Sequence, residues 1–175
     1  MQIKITKCPD KKFRPFVNRA VAFYGKELIK KSINVNVNIH VRFNSKINAW
    51  GYASVEEFNT MNKPRGFLLE VHPGIGAKHI LETLAHEMIH IKQFIFGELS
   101  EDLSVWCGTY VDTTVVDYYV LPWEIEAYGR EVGLFTKFVV QEQLWNVFEG
   151  IYNPDDPIEN SELGWKVNAV CNSTN

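Results

Sequence analysis

Cysteine is scarce in this chain of 175 residues: Cys8, Cys107 and Cys171 are odd in number and widely scattered. That excludes a disulfide framework and a cysteine-ligated metal, and it fits reduced thiols in a cytoplasm. No stretch is long and apolar enough to span a membrane, and the opening Met1-Gln2-Ile3-Lys4 does not read as a signal peptide. In that setting the Asn172-Ser173-Thr174 sequon reads as chance. Internal repeats and low-complexity segments are absent too, so no repeat array is expected. Histidine is limited to His40, His72, His79, His86 and His90, and none follows residue 90.

What is present reads as one soluble globular domain over residues 1–175. Apolar residues make up 46% of the chain and charged residues 22%, ordinary values for a domain with a real core. The charge is unevenly spread. Residues 1–50 hold eleven of the eighteen Lys and Arg against Asp10 and Glu27, a balance of +9; the remainder carries −12, which restores the net −3. A basic N-terminal third can hold nucleic acid by its phosphates. Lys26, Lys30 and Lys31 equally suit the end of a helix, and the acidic remainder can neutralise them in the fold.

Residues 86–90 read His-Glu-Met-Ile-His, an HExxH pentad. Around it, from Ala77 to Phe96, Leu81, Leu84, Ala85, Met88, Ile91 or Ile89, and Ile95 recur at helical spacing. Pro73, Gly74 and Gly76 break the chain before this run, and Gly97 stands where a left-handed cap would end it. On a helix, histidines four apart share one face, so both imidazoles can reach a single metal ion. Glu87, about 100° round the helix from His86, can meet a water there and act as general base.

A catalytic zinc takes three protein ligands and keeps one position open. With no histidine downstream, the metzincin arrangement is excluded. His79 precedes His86 by two turns, about 10.5 Å along the axis, too far to join the same shell. His72 lies before the Pro-Gly break, and His40 decorates the polar side of a strand. The third ligand is therefore expected from a later carboxylate. Pro122 fits the first turn of a helix and is followed by Glu124 and Glu126. These two lie about 200° apart round a helix, so only one can face the metal. The other is then an acidic first-turn residue favoured by the helix dipole.

The pentad with a downstream Glu-x-x-Ala, here Glu124 to Ala127, resembles minimal zinc metallopeptidases of the gluzincin kind, including the ImmA/IrrE-like peptidases. Pro122-Trp-Glu-Ile-Glu-Ala127 is similar to a string in small metallopeptidases carried by bacteriophages. The likeness covers about residues 77–130. It implies one Zn²⁺ per chain held by His86, His90 and Glu124, with Glu126 the alternative third ligand. It further implies Glu87 as general base, a peptide or protein substrate, and a host cytoplasm if phage-encoded. The chain lacks the Asn-x-Phe-Ala continuation of ImmA/IrrE-like proteins, so their substrates do not carry over. By the same resemblance Gly66–Val71, the strand before the pentad helix, lies along the cleft and pairs with substrate; an interior strand is the other reading. Tyr110, Tyr118, Tyr119 and Tyr128 are all available to steady an oxyanion. Residues 106–110, Trp-Cys-Gly-Thr-Tyr, can shape a substrate wall or sit in the core.

Two alternatives stand beside a peptidase. One is a binding module stapled by zinc with a full fourth ligand. The other is a nucleic-acid-associated protease of the SprT-like kind, although that pattern wants a third His after the pentad.

The remaining chain reads as α+β. Pro15 opens a helix to about Lys31. Ile33 to Phe43 alternates apolar and polar residues as a strand with one dry face. Asn48–Ser54 and Gly66–His72 read as further strands of a small, mostly antiparallel sheet packed on the pentad helix. A long helix runs from Pro122 to about Gly150. Residues 153–157, Asn-Pro-Asp-Asp-Pro, mark a loop, and about 158–175 form a loosely held tail.

Overall fold

A computed structural model describes residues 1–144, and its architecture is α+β. Strand β1 (Gln2–Thr6) leads into helix α1 (Arg14–Leu28), which Pro15 opens within its first turn. A single helical turn, α2 (Lys31–Asn34), precedes β2 (Asn38–Phe43), β3 (Gly51–Phe58) and β4 (Pro64–Val71). Then come α3 (Ala77–Phe96), the short hairpin β5 (Val105–Trp106) and β6 (Thr109–Tyr110), a 3-10 turn at Tyr118–Val120, and α4 (Pro122–Gln141).

The alternation from Ile33 to Phe43 is not one strand. The chain turns first, with Asn36 N–H donating to Ile33 O and Val37 N–H to Asn34 O. Asparagines at 34 and 36 favour such a turn. It leaves Val35 60% exposed, and pairing begins only at Asn38.

The sheet runs in the order β1-β2-β4-β3 and is mixed, not mostly antiparallel. β1–β2 and β2–β4 are parallel; only β3–β4 is antiparallel. The cause is β1, which periodicity alone did not reveal: α1 serves as the crossover between β1 and β2, and a helical crossover makes its strands parallel. After β2 the chain passes to the far edge as β3 and returns through β4. β4 is thus interior, with neighbours on both sides, which corrects the placing of Gly66–Val71 along a cleft. The edge strands are β1 and β3.

One face of the sheet packs under α1 and α3. Ile39, Val41, Phe67, Leu69 and Val71 meet Leu81, Leu84, Met88 and Ile89 in the core, each large side chain contributing about 1.5–3 kcal/mol by burial. Tyr24 of α1 donates to Leu81 O at 3.1 Å, and its ring meets Phe138 of α4 at 5.8 Å. Helix α3 ends as its sequence dictates: Gly97 takes φ 68° and caps with its N–H on the last turn. Helix α4 stops at Gln141, short of Gly150. Glu142 N–H closes the last turn on Phe138 O, and Gln143 turns to φ 54°. The rest of the expected helix and the tail over 158–175 lie outside the described residues. No helix among the described residues is long and apolar enough to cross a membrane.

Candidate metal centre

Helix α3 carries His86, Glu87 and His90 through the middle of the core, and all three are buried. The spacing works as expected. The Nε2 atoms of His86 and His90 stand 3.1 Å apart, pointing at one another across one helical turn. The first turn of α4 brings Glu124 against them, with Oε2 3.2 Å from His86 Nε2 and Oε1 3.5 Å from His90 Nε2. Pro122 sets this start of α4, and Trp123, buried beside it, anchors it in the core. Candidate ligand atoms of His86, His90 and Glu124 all lie within 4.8 Å of one another.

The outer nitrogens decide the chemistry of the inner ones. His86 Nδ1 lies 2.7 Å from Glu131 Oε2, and His90 Nδ1 lies 2.8 Å from Gln93 Oε1. Both partners accept, so each Nδ1 carries the hydrogen that is donated. Each Nε2 is then the atom that offers a lone pair inward. Glu124 Oε2 is buried, and beyond its 3.2 Å approach to His86 Nε2 no hydrogen bond of good geometry reaches it among the described residues. Lone pairs of two imidazoles and a carboxylate converging in a dry place are costly unless something positive lies among them. The donor set therefore fits a divalent cation of the zinc type.

Protonation agrees. Burial works against a charge on His86, but the Glu124 and Glu131 carboxylates outweigh it and lift its pKa to about 10. Burial likewise disfavours the Glu124 anion, yet the two histidines beside it bring its pKa down to about 2. In the metal-free chain a proton holds the place that a cation would take. Glu87 is pushed the other way. Burial raises its pKa, and the nearby histidines offset this only in part.

Glu126 is not part of the group. It faces away, where its Oε1 accepts from Lys92 and Arg130, each at 2.8 Å, and its Oε2 accepts from Gln93 at 3.0 Å. Ile125, between the two glutamates, points outward for the same rotational reason. Of the other histidines, His40 bonds Thr6 and His72 accepts from Gly74 N–H. His79 stacks edge-on with Trp50.

A cleft of about 380 Å³ opens over His86 and Glu87. Its floor is α3 from His79 through Glu82 and Thr83 to the pentad, and Asn48 to Gly51 at the head of β3 form one wall. Tyr118, Tyr119, Tyr128 and Glu131 line it as well. Tyr128 lies edge-on to His86, with ring centroids 4.7 Å apart. Burial, and then the charge of Glu124, push the Tyr118 phenol above its ordinary range. Tyr110, 71% exposed, is not among the lining residues. Nor is Trp106, whose ring packs toward Trp123, so the 105–110 hairpin supports the core and does not wall the cleft.

Three residues of the site escaped the motif reading. Glu131 follows Glu124 by seven, two turns on the same face, and Gln93 follows His90 by three, so helical spacing could have found both. Gly51 carried no local signal, because its part depends on how β3 approaches α3. Compared with known proteins, the chain matches no protein-family model, no curated protein and no solved structure.

Proposed function

We propose that this chain is a zinc-dependent peptidase. The observation that carries the reading is the convergence of His86 Nε2, His90 Nε2 and the buried Glu124 carboxylate, with His86 and Glu87 lining an open cleft. Zinc held by those three residues would supply Lewis acidity toward a peptide carbonyl and a lowered pKa for water. Glu87 takes the proton of the attacking water and returns it to the leaving amine, a task suited to a carboxyl whose pKa is raised above the ordinary range. Tyr118, Tyr119 and Tyr128 bring phenol donors to the same cleft, in position to steady charge on the carbonyl oxygen. β3, the edge strand beside the cleft, offers backbone groups to an extended peptide.

Among the described residues three protein donors converge and Glu126 is engaged elsewhere, which favours this reading over a zinc-stapled binding module, which calls for a fourth. Replacing Glu87 by Gln tests the proposal. The variant should bind one zinc per chain and lose all turnover of a quenched fluorescent peptide library that the wild type cleaves. Full activity of that variant would overturn the mechanism.

A further inference from the structure

We infer that Gln93, held in turn by Glu126, is the positioning residue that presents His90 to the metal and fixes α4 against α3. The inference rests on the metal centre proposed above. Gln93 is fully buried, with 0% exposure, at the contact between the two ligand-bearing helices. Its side chain is oriented by what surrounds it. The Trp123 carbonyl and the Glu126 carboxylate both accept, so only the Nε2 amide can face them, and it donates to each at 3.0 Å. That leaves Oε1 toward His90, 2.8 Å from Nδ1. An amide oxygen can only accept, so His90 must carry its hydrogen on Nδ1 and keep the Nε2 lone pair inward.

One amide thus sets the tautomer of one ligand and tethers the backbone just before another, since Trp123 precedes Glu124. Glu126 holds the amide in that sense because its second oxygen is taken by Lys92 and Arg130. His86 is treated differently: a carboxylate, Glu131, takes its Nδ1 directly from the cleft wall. The glutamate that competes with Glu124 in the sequence therefore acts on the metal through Gln93.

The test is metal binding by the full chain. Zn²⁺ affinity is measured by competition with a chromophoric chelator, Co²⁺ geometry by its visible d–d spectrum, and fold by melting of the metal-free protein. Gln93→Met should lower zinc affinity about 10- to 100-fold and shift the Co²⁺ spectrum. Val21→Ala, a core change on α1, should lower the melting temperature and leave both metal readouts unchanged. Glu126→Ala should lower affinity by up to about tenfold, and it carries the test alone if Gln93→Met does not fold. Unaltered affinity and spectrum in the folded Gln93→Met chain, or in Glu126→Ala where Gln93→Met does not fold, would overturn the inference while leaving the metal centre standing. A wild type with no zinc affinity would overturn both.

Discussion

Gly51 and Glu87 meet at the cleft with no room for a methyl group between them. A Cβ on Gly51 would lie 2.6 Å from Glu87 Oε1 and 2.5 Å from Thr83 Cγ2. The head of the edge strand thus presses directly on the proposed general base. Gly51→Ala should displace the Glu87 carboxylate and lower turnover by about two orders of magnitude, since misplacement by an ångström costs that much. Zinc stoichiometry should stay at one, because the atoms nearest the added Cβ belong to Thr83 and Glu87 and not to a metal ligand. Steady-state kinetics beside elemental analysis checks both halves, and a fully active alanine variant would show that the contact has no bearing on Glu87.

Among the four tyrosines that the sequence left open, three line the cleft and Tyr110 does not. Tyr118 lines the cleft beside Glu124, so Tyr118→Phe should reduce kcat by about 10²-fold with KM and zinc content little changed. Tyr110→Phe should behave as wild type. Equal activity of the two variants would remove Tyr118 from the chemistry.

Zinc binding should be coupled to proton release. His86 has a pKa of about 10 in the metal-free fold, raised from its ordinary 6.5, so it is charged at neutral pH and must lose that proton to bind metal. Affinity should therefore climb with pH through the neutral range toward about 10. Glu124, with a pKa of about 2, is ionised throughout and adds nothing to this slope. For the stability of the metal-free chain the sign reverses. The His86 contribution is complete below 6.5 and lost as pH rises through 10; the Glu124 contribution is present above its ordinary 4.5 and lost as pH falls through 2. Calorimetry of zinc binding at pH 7.5 in two buffers of different ionisation enthalpy should report at least one proton released. Identical heats in both buffers would contradict the assignment.

Removing the metal should cost stability without abolishing the fold, because the core between sheet and helices does not depend on it. At free zinc a hundredfold above Kd, binding to the native state alone adds about 2.7 kcal/mol. For a chain of this size that is a drop of roughly 5–10 °C in Tm on chelation. Complete unfolding by chelator at 25 °C would instead point to a zinc-stapled module.

Much of the site was legible because helical spacing is local physics. His86, Glu87 and His90 follow from period alone, and Gly97 and Pro122 mark the helix ends that position them. The choice of Glu124 over Glu126 was not local. Spacing says that one of them turns away; the tertiary placement says which, with Glu124 against the two histidines and Glu126 against Lys92 and Arg130. β1 is five residues long and lysine-bearing, too brief for periodicity to claim, and with it went the parallel pairings of the sheet. Ile33 to Asn36 misled for the opposite reason: perfect alternation is compatible with a strand but does not compel one where the backbone closes a turn on itself. Gly51 is a matter of tertiary approach, which no window of sequence contains.

The most direct test of the account is zinc per chain, by elemental analysis, in purified wild type, Glu124→Ala and Glu126→Ala. One zinc is expected in the wild type, none in Glu124→Ala and one in Glu126→Ala. A folded wild type that binds no zinc, or a Glu124→Ala chain that keeps it while Glu126→Ala loses it, would contradict the metal centre described here.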